Sequence, residues 1–190
     1  MSVTKREAEV VKFCGSTVTF YKENERNVLP ASTEVYNLAV YVAEGKVTVK
    51  ASRKIDGGEC SSSFTGDSMV FKGVKNGKSL FANFQMRPDG PYTRGVCADH
   101  VRLLRNEGIV VDKDGSINIR EAVKALGVIN EGRANLGDCG LTKARLDGIS
   151  TFAAEVEEAS DLREDIRNLL KSKTVSGYIE KKKMQTMFMR

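Results

Sequence analysis

Cysteine and histidine are the side chains in this sequence best equipped for nucleophilic or metal chemistry, and they are few: Cys14, Cys60, Cys97, Cys139 and a single histidine, His100. Cys97-Ala-Asp-His100 places a thiol and an imidazole one helical turn apart. That spacing suits a thiol nucleophile with its general base. It would equally give half of a tetrahedral zinc site, with Cys60 or Cys139 completing the set. Zinc sites announce themselves by two close pairs, however, and here there is only one. A helix over 96–107 puts Cys97 on the apolar stripe with Val101 and Leu104, so the sequence favours a core cysteine beside a surface histidine. No catalytic residue, metal ligand or cofactor is therefore expected.

Three further segments resemble motifs and depart from them. Gly73-Val-Lys-Asn-Gly77-Lys78-Ser79 comes after a strand as a phosphate loop does, but it is one residue short. The next segment, Leu80-Phe-Ala-Asn-Phe84, reads as strand rather than the helix whose N-terminus would face an anion. Asp112-Lys-Asp114-Gly115 has the opening of a calcium loop, yet the twelfth position, where a bidentate Glu belongs, is Val123. A turn is the simpler account. Residues 117–147 could form a degenerate helix-turn-helix, with Gly127 at the bend, but Arg133 occupies the place where the second helix needs an apolar side chain.

The basic residues carry a more usable signal. The chain has 30 Lys and Arg against 25 Asp and Glu, a formal charge of +5. Lys46, Lys50, Lys72 and Lys78 project from strands, and Lys50, Arg53 and Lys54 cluster at one strand end with Tyr36 and Tyr41 in the partner segment. A basic sheet face with aromatics can track a nucleic-acid backbone and stack bases. Edge strands also carry lysine simply to prevent sheet-to-sheet pairing. Residues 1–170 are balanced at 24 basic and 24 acidic, so the whole excess lies in 171–190, with Lys181, Lys182, Lys183 and Arg190. That segment, rich in Met, is expected to be a basic tail that binds phosphate or an acidic lipid surface, or packs on a neighbouring copy.

These side chains need elements to position them, and 190 residues with 41% hydrophobic and 29% charged side chains suffice for one domain or two small ones. Thr4-Lys-Arg-Glu7 has capping-box spacing before a short helix over 5–13. Val18 and Phe20 then begin a strand pattern. Val35–Val42 and 46–50 form a hairpin across Ala43-Glu-Gly45, with Val47, Val49 and Ala51 on one face. Residues 56–63, rich in Gly, Ser and Cys, read as a loop. Asn76-Gly77 closes a second hairpin of 68–75 and 78–84, and Pro88 and Pro91 mark the main boundary.

Beyond it the pattern is helical. Residues 109–111 and 117–119 could pair across 112–115, a short helix runs from Asn118 to Gly127, and Gly132, Gly137, Gly140 and Gly148 punctuate a loop-rich stretch. Ile149, Phe152, Val156, Ala159, Leu162, Ile166 and Leu169 give one helix over 150–171, roughly 33 Å long. The expected fold is α+β: an antiparallel meander of about five strands in 1–92, a helical region in 93–171 and the tail in 172–190.

The opening residues carry acids and lack an apolar run of about 7–15, so they do not read as a secretory signal. The cysteines, 46, 37 and 42 positions apart, read as free thiols of a reducing, intracellular compartment. No stretch approaches the roughly 18 apolar residues of a membrane span. The leading expectation is a non-enzymatic assembly or nucleic-acid-associated protein, such as a small viral or phage structural protein, that self-associates and contacts nucleic-acid backbone. A regulator using 117–147 and a cysteine-dependent enzyme at Cys97 and His100 are the alternatives.

Overall fold

A computed structural model of the chain describes residues 11–23, 28–135 and 141–188. The fold is α+β, with a large antiparallel sheet and five helices among the described residues. The chain divides into two compact units that combine early and late segments: Met1–Arg53, Ser63–Gly66 and Asp161–Arg190 form the first, Lys54–Ser62 and Asp67–Ser160 the second.

In the first unit β1 (Lys12–Phe13) and β2 (Ser16–Thr17) make a small separate hairpin, with Cys14 and Gly15 both at positive φ in the turn. The helix expected over 5–13 is thus replaced by strand at 12–13, and its residues 5–10 lie outside the described ones. The turn reverses the chain so that Phe13 becomes fully buried, edge-on to Tyr36 at 5.7 Å between ring centroids. Next come β3 (Thr19–Phe20), β4 (Val28–Ser32), β5 (Asn37–Ala43) and β6 (Lys46–Ile55), the last three each antiparallel to the one before it. Glu44 and Gly45 both take positive φ, the two-residue turn whose twist matches its strands. Leu38 and Val40 of β5 bury against Val49 and Ala51 of β6, as alternation requires.

Residues 56–63 are not the expected loop, because β7 (Gly58–Thr65) runs through them, burying Cys60, Ser62 and Phe64 at alternate positions. Small side chains suit a crowded interior strand, although they carry little β-propensity. In the second unit β8 (Ser68–Lys75) and β9 (Lys78–Arg87) pair as expected across Asn76-Gly77, both at positive φ. The prolines do not end the sheet: Pro88-Asp89 is a tight turn into β10 (Gly90–Thr93), and β11 (Ile117–Asn118) joins the far side of β10. Residues 109–111 therefore do not pair with 117–119. The hydrogen-bonding order is β11-β10-β9-β8-β7-β6-β5-β4-β3, nine strands where about five were expected.

α1 (Ala98–Asn106) has Cys97 as its N-cap and buries Leu104. α2 (Ile119–Asn130) is capped by Asn118, whose side chain accepts from Arg120 N. It continues through Gly127, where a stop was expected, because neighbouring Ala125, Leu126 and Val128 all bury. The long helix expected over 150–171 is α4 (Ala153–Lys171), and the stretch before it, expected to be loop-rich, holds a further helix, α3 (Lys143–Thr151), which ends at Phe152 just before α4 begins. Phe152 is fully buried, 5.6 Å from Phe71 of β8, and its ring lies on Gly73. A side chain at 73 would occupy that space, so glycine here serves close packing rather than a turn. The segment expected as a tail is α5 (Lys173–Phe188), which packs on β5 in the first unit and buries Val175 and Tyr178.

Candidate nucleic-acid interface

Strand alternation decides which expected basic residues face outward. In β6, Val49 and Ala51 point into the core, so Lys46, Lys50 and Lys54 are exposed on the opposite face, four residues apart, or about 13 Å at the rise of a strand. Tyr41, opposite Thr48, shares that face. Arg53 has the other parity. Its guanidinium lies 6.0 Å from the ring centroid of Tyr36, and Tyr36 is itself core. The expected Lys50, Arg53 and Lys54 cluster is therefore split between two faces, and Tyr36 is unavailable for stacking.

The second unit holds the more distinctive surface. β8 and β9 turn Met69, Phe71, Leu80, Ala82, Phe84 and Met86 inward. Their outward positions pair directly: Val74 with Ser79, Lys72 with Phe81, Val70 with Asn83 and Ser68 with Gln85. Phe81 is 65% exposed and Val74 46%. Strands β8, β9 and β10 contain Lys72, Lys75, Lys78 and Arg87 and no acidic residue, while neighbouring β7 contributes Glu59. Phe81 carries no charge, so the pattern of basic residues does not point to it. Its signal was nevertheless in the sequence, because burial of Leu80, Ala82 and Phe84 forces residue 81 outward.

Several basic groups are already engaged. Lys75 Nζ lies 2.7 Å from Glu155 Oε1, which ties the end of β8 to the first turn of α4. Arg87 binds both Asp112 and Asp114 and lies 4.1 Å from the ring centroid of Tyr92. The Asp112–Gly115 segment is thus a turn whose carboxylates hold the Arg87 guanidinium. Ser116, first through its backbone N–H and then its hydroxyl, with Arg87 beside it, keeps the Asp114 carboxyl below its ordinary range against the cost of desolvation. Asn76-Gly77 is a hairpin turn with no helix after it, which removes the phosphate-loop geometry.

The terminal lysines separate as well. Lys182 is buried, 3.0 Å from Glu23 Oε2, with Lys181 at 3.8 Å from the same carboxylate. The hydrogen bond from Lys182 lowers the pKa of Glu23, and the charge of Lys181 adds to it. Lys183 is exposed and makes no ion pair among the described residues. Arg190 lies outside them, as does Cys139. Arg133 pairs with Glu107 and Glu131, and Gly127 is mid-helix, so 117–147 lacks the bend placed at Gly127.

Cys97 Sγ and His100 Nδ1 do meet, at 3.3 Å, with the thiol half-buried at the start of α1. Cys60 is buried in β7 and Cys14 is exposed. Among the described residues no group of three or more His, Cys, Asp or Glu side chains is placed to hold a metal. Among them, too, no helix is long and apolar enough to cross a membrane. No protein-family model, curated protein or solved structure matches this chain.

Proposed function

We propose that this chain is a non-enzymatic, nucleic-acid-associated protein that holds the phosphate backbone with outward lysines of its sheet. One observation carries the reading. Lys46, Lys50 and Lys72 are exposed at outward strand positions, Lys78 is exposed at the hairpin end of β9 on the opposite parity, and none of them makes an ion pair among the described residues, whereas Lys75, Arg87, Arg133 and Lys182 are all matched by carboxylates. Uncompensated positive charge on a surface releases counterions when it meets phosphate.

Two such contacts within one unit, as Lys46 and Lys50 offer in the first, imply for a single strand a salt slope of about −1.4, hence a loss of affinity of about 7-fold between 50 and 200 mM salt. Fluorescence anisotropy with a labelled oligonucleotide measures it, and K46E/K50E and K72E/K78E should each weaken binding. A response flat in salt, or variants that bind as well as the parent, would dismiss the phosphate reading. Sedimentation of the unliganded protein then asks whether the same faces join copies of the chain.

The 3.3 Å contact between Cys97 and His100 favours a second reading, a thiol nucleophile with its base. Iodoacetamide should then label Cys97 faster than the exposed Cys14, and H100A should abolish the difference. Equal rates end that reading.

A further inference from the structure

We propose that Phe81 is a base-stacking platform, so that the nucleic acid bound by the second unit is single-stranded. This deepens the backbone-binding reading and rests on it. Phe81 is the exposed aromatic at the middle of β9, with Lys72 directly across on β8 and Val70 and Val74 at the diagonal positions. The ring therefore projects from a small apolar floor with a cation at its side. Asn83 and Ser79, two residues away along β9, present hydrogen-bonding groups at the same face.

A flat ring beside an ammonium fits a nucleotide, whose base has an apolar face and whose phosphate is an anion. In a duplex the base faces are covered by their neighbours, and only the backbone would meet Lys72. In a single strand a base can turn out and cover Phe81 while its phosphate meets Lys72. Charge argues against a second copy of the chain as the occupant. Symmetric pairing would bring the patch against itself and place Lys72 of each copy near that of the other, with no acid on β8, β9 or β10 and a single one, Glu59, on neighbouring β7 to offset them.

The chain contains no tryptophan, so F81W creates a unique fluorophore at the site in question. Its emission should be quenched by a twelve-residue oligodeoxythymidine and unchanged by a duplex of equal length. F81A and F81L should each lose about 5- to 160-fold in affinity for the single strand, the range for one stacked base, while duplex affinity stays within about twofold. K72Q should instead reduce the salt slope by about 0.7. Because Phe81 is exposed, F81A should melt as the parent does, which separates a binding effect from a folding one.

Unchanged single-strand affinity in F81A, with K72Q weakened, would overturn stacking and leave backbone binding in place. Equal losses on single strand and duplex would overturn it too. Absence of binding to either would defeat the backbone reading and this one with it. A dimer that F81A dissociates without changing oligonucleotide affinity would assign the ring to self-association.

Discussion

Gly73→Ala tests how the inner face of β8 is held, and its consequence can be worked from the packing of one ring. A Cβ at residue 73 would stand 2.7 Å from Phe152 Cε1 and 3.1 Å from Cδ1 and Cζ. Ordinary carbon contacts begin near 3.5 Å, so the ring must retreat by nearly 1 Å. It has little room, being fully buried and 5.6 Å from Phe71. Overpacking of this kind costs about 1–3 kcal/mol. Since Gly73 does not take positive φ, Ala in an uncrowded site would instead add a few tenths to about 1 kcal/mol by restricting the unfolded chain. Phe152→Leu removes Cε1 and Cζ and so most of the clash. Urea unfolding of the parent, both single variants and the double variant closes the cycle. G73A should destabilise the parent by about 1–3 kcal/mol and be nearly neutral in F152L, a coupling of at least about 1 kcal/mol. Equal costs in both backgrounds would refute the contact between the α3–α4 corner and β8.

Three other perturbations probe the same geometry. Lys75→Met should cost about 2–4 kcal/mol by removing the cation 2.7 Å from the buried Glu155 carboxylate, whereas K75M together with Glu155→Leu should recover most of that loss in urea unfolding. Gly127→Ala should stabilise by about 0.5–1 kcal/mol, because the residue is inside α2 with open space around it; destabilisation would mean a bend at 127 after all. Glu23 has a folded pKa below its ordinary 4.5, so its contribution is fully present above that value and is lost as pH falls through the lowered one. Unfolding midpoints tracked across this acid range should decline in the parent and decline less in Lys182→Met, and parallel declines would remove the Glu23–Lys182 pair from the acid response.

Legibility tracked the range of the forces involved. Asn76-Gly77 and Glu44-Gly45 were readable because turn chemistry is local and both flanks alternate with period two. β7 was obscured because its inward residues include Ser62, which fills an interior position without a hydrophobic signal. The break at Phe152 was invisible for a different reason: the apolar stripe continues in register through residues 149, 152 and 156, and only the docking of the ring on Gly73 shows why the helix restarts there. α5 lacks a clean stripe, with Lys182 at a buried position. Its partner Glu23 is 159 residues away, and no local pattern announces such a pair. In the candidate interface, the outward direction of Lys46, Lys50 and Lys72 was legible from parity, as was the inward direction of Arg53, which clustering by sequence distance concealed.

The placement of α5 relocates the anion-binding question. By composition the whole positive excess belongs to the last twenty residues, which makes truncation there look like the natural test. Val175 and Tyr178 are buried and Lys182 is paired, so removing 172–190 would open the core of the first unit and leave Glu23 without its partner. Loss of binding after such a truncation would report unfolding. Net charge counts every lysine equally, whereas a phosphate meets only those whose charge is exposed and unmatched. By that criterion Lys46, Lys50, Lys72 and Lys78 outrank Lys181 and Lys182, although residues 1–170, which contain them, sum to no excess. Charge reversal on the strands, with the fold checked by melting, is therefore the decisive perturbation, and Lys183→Glu is the control that separates local charge from total charge.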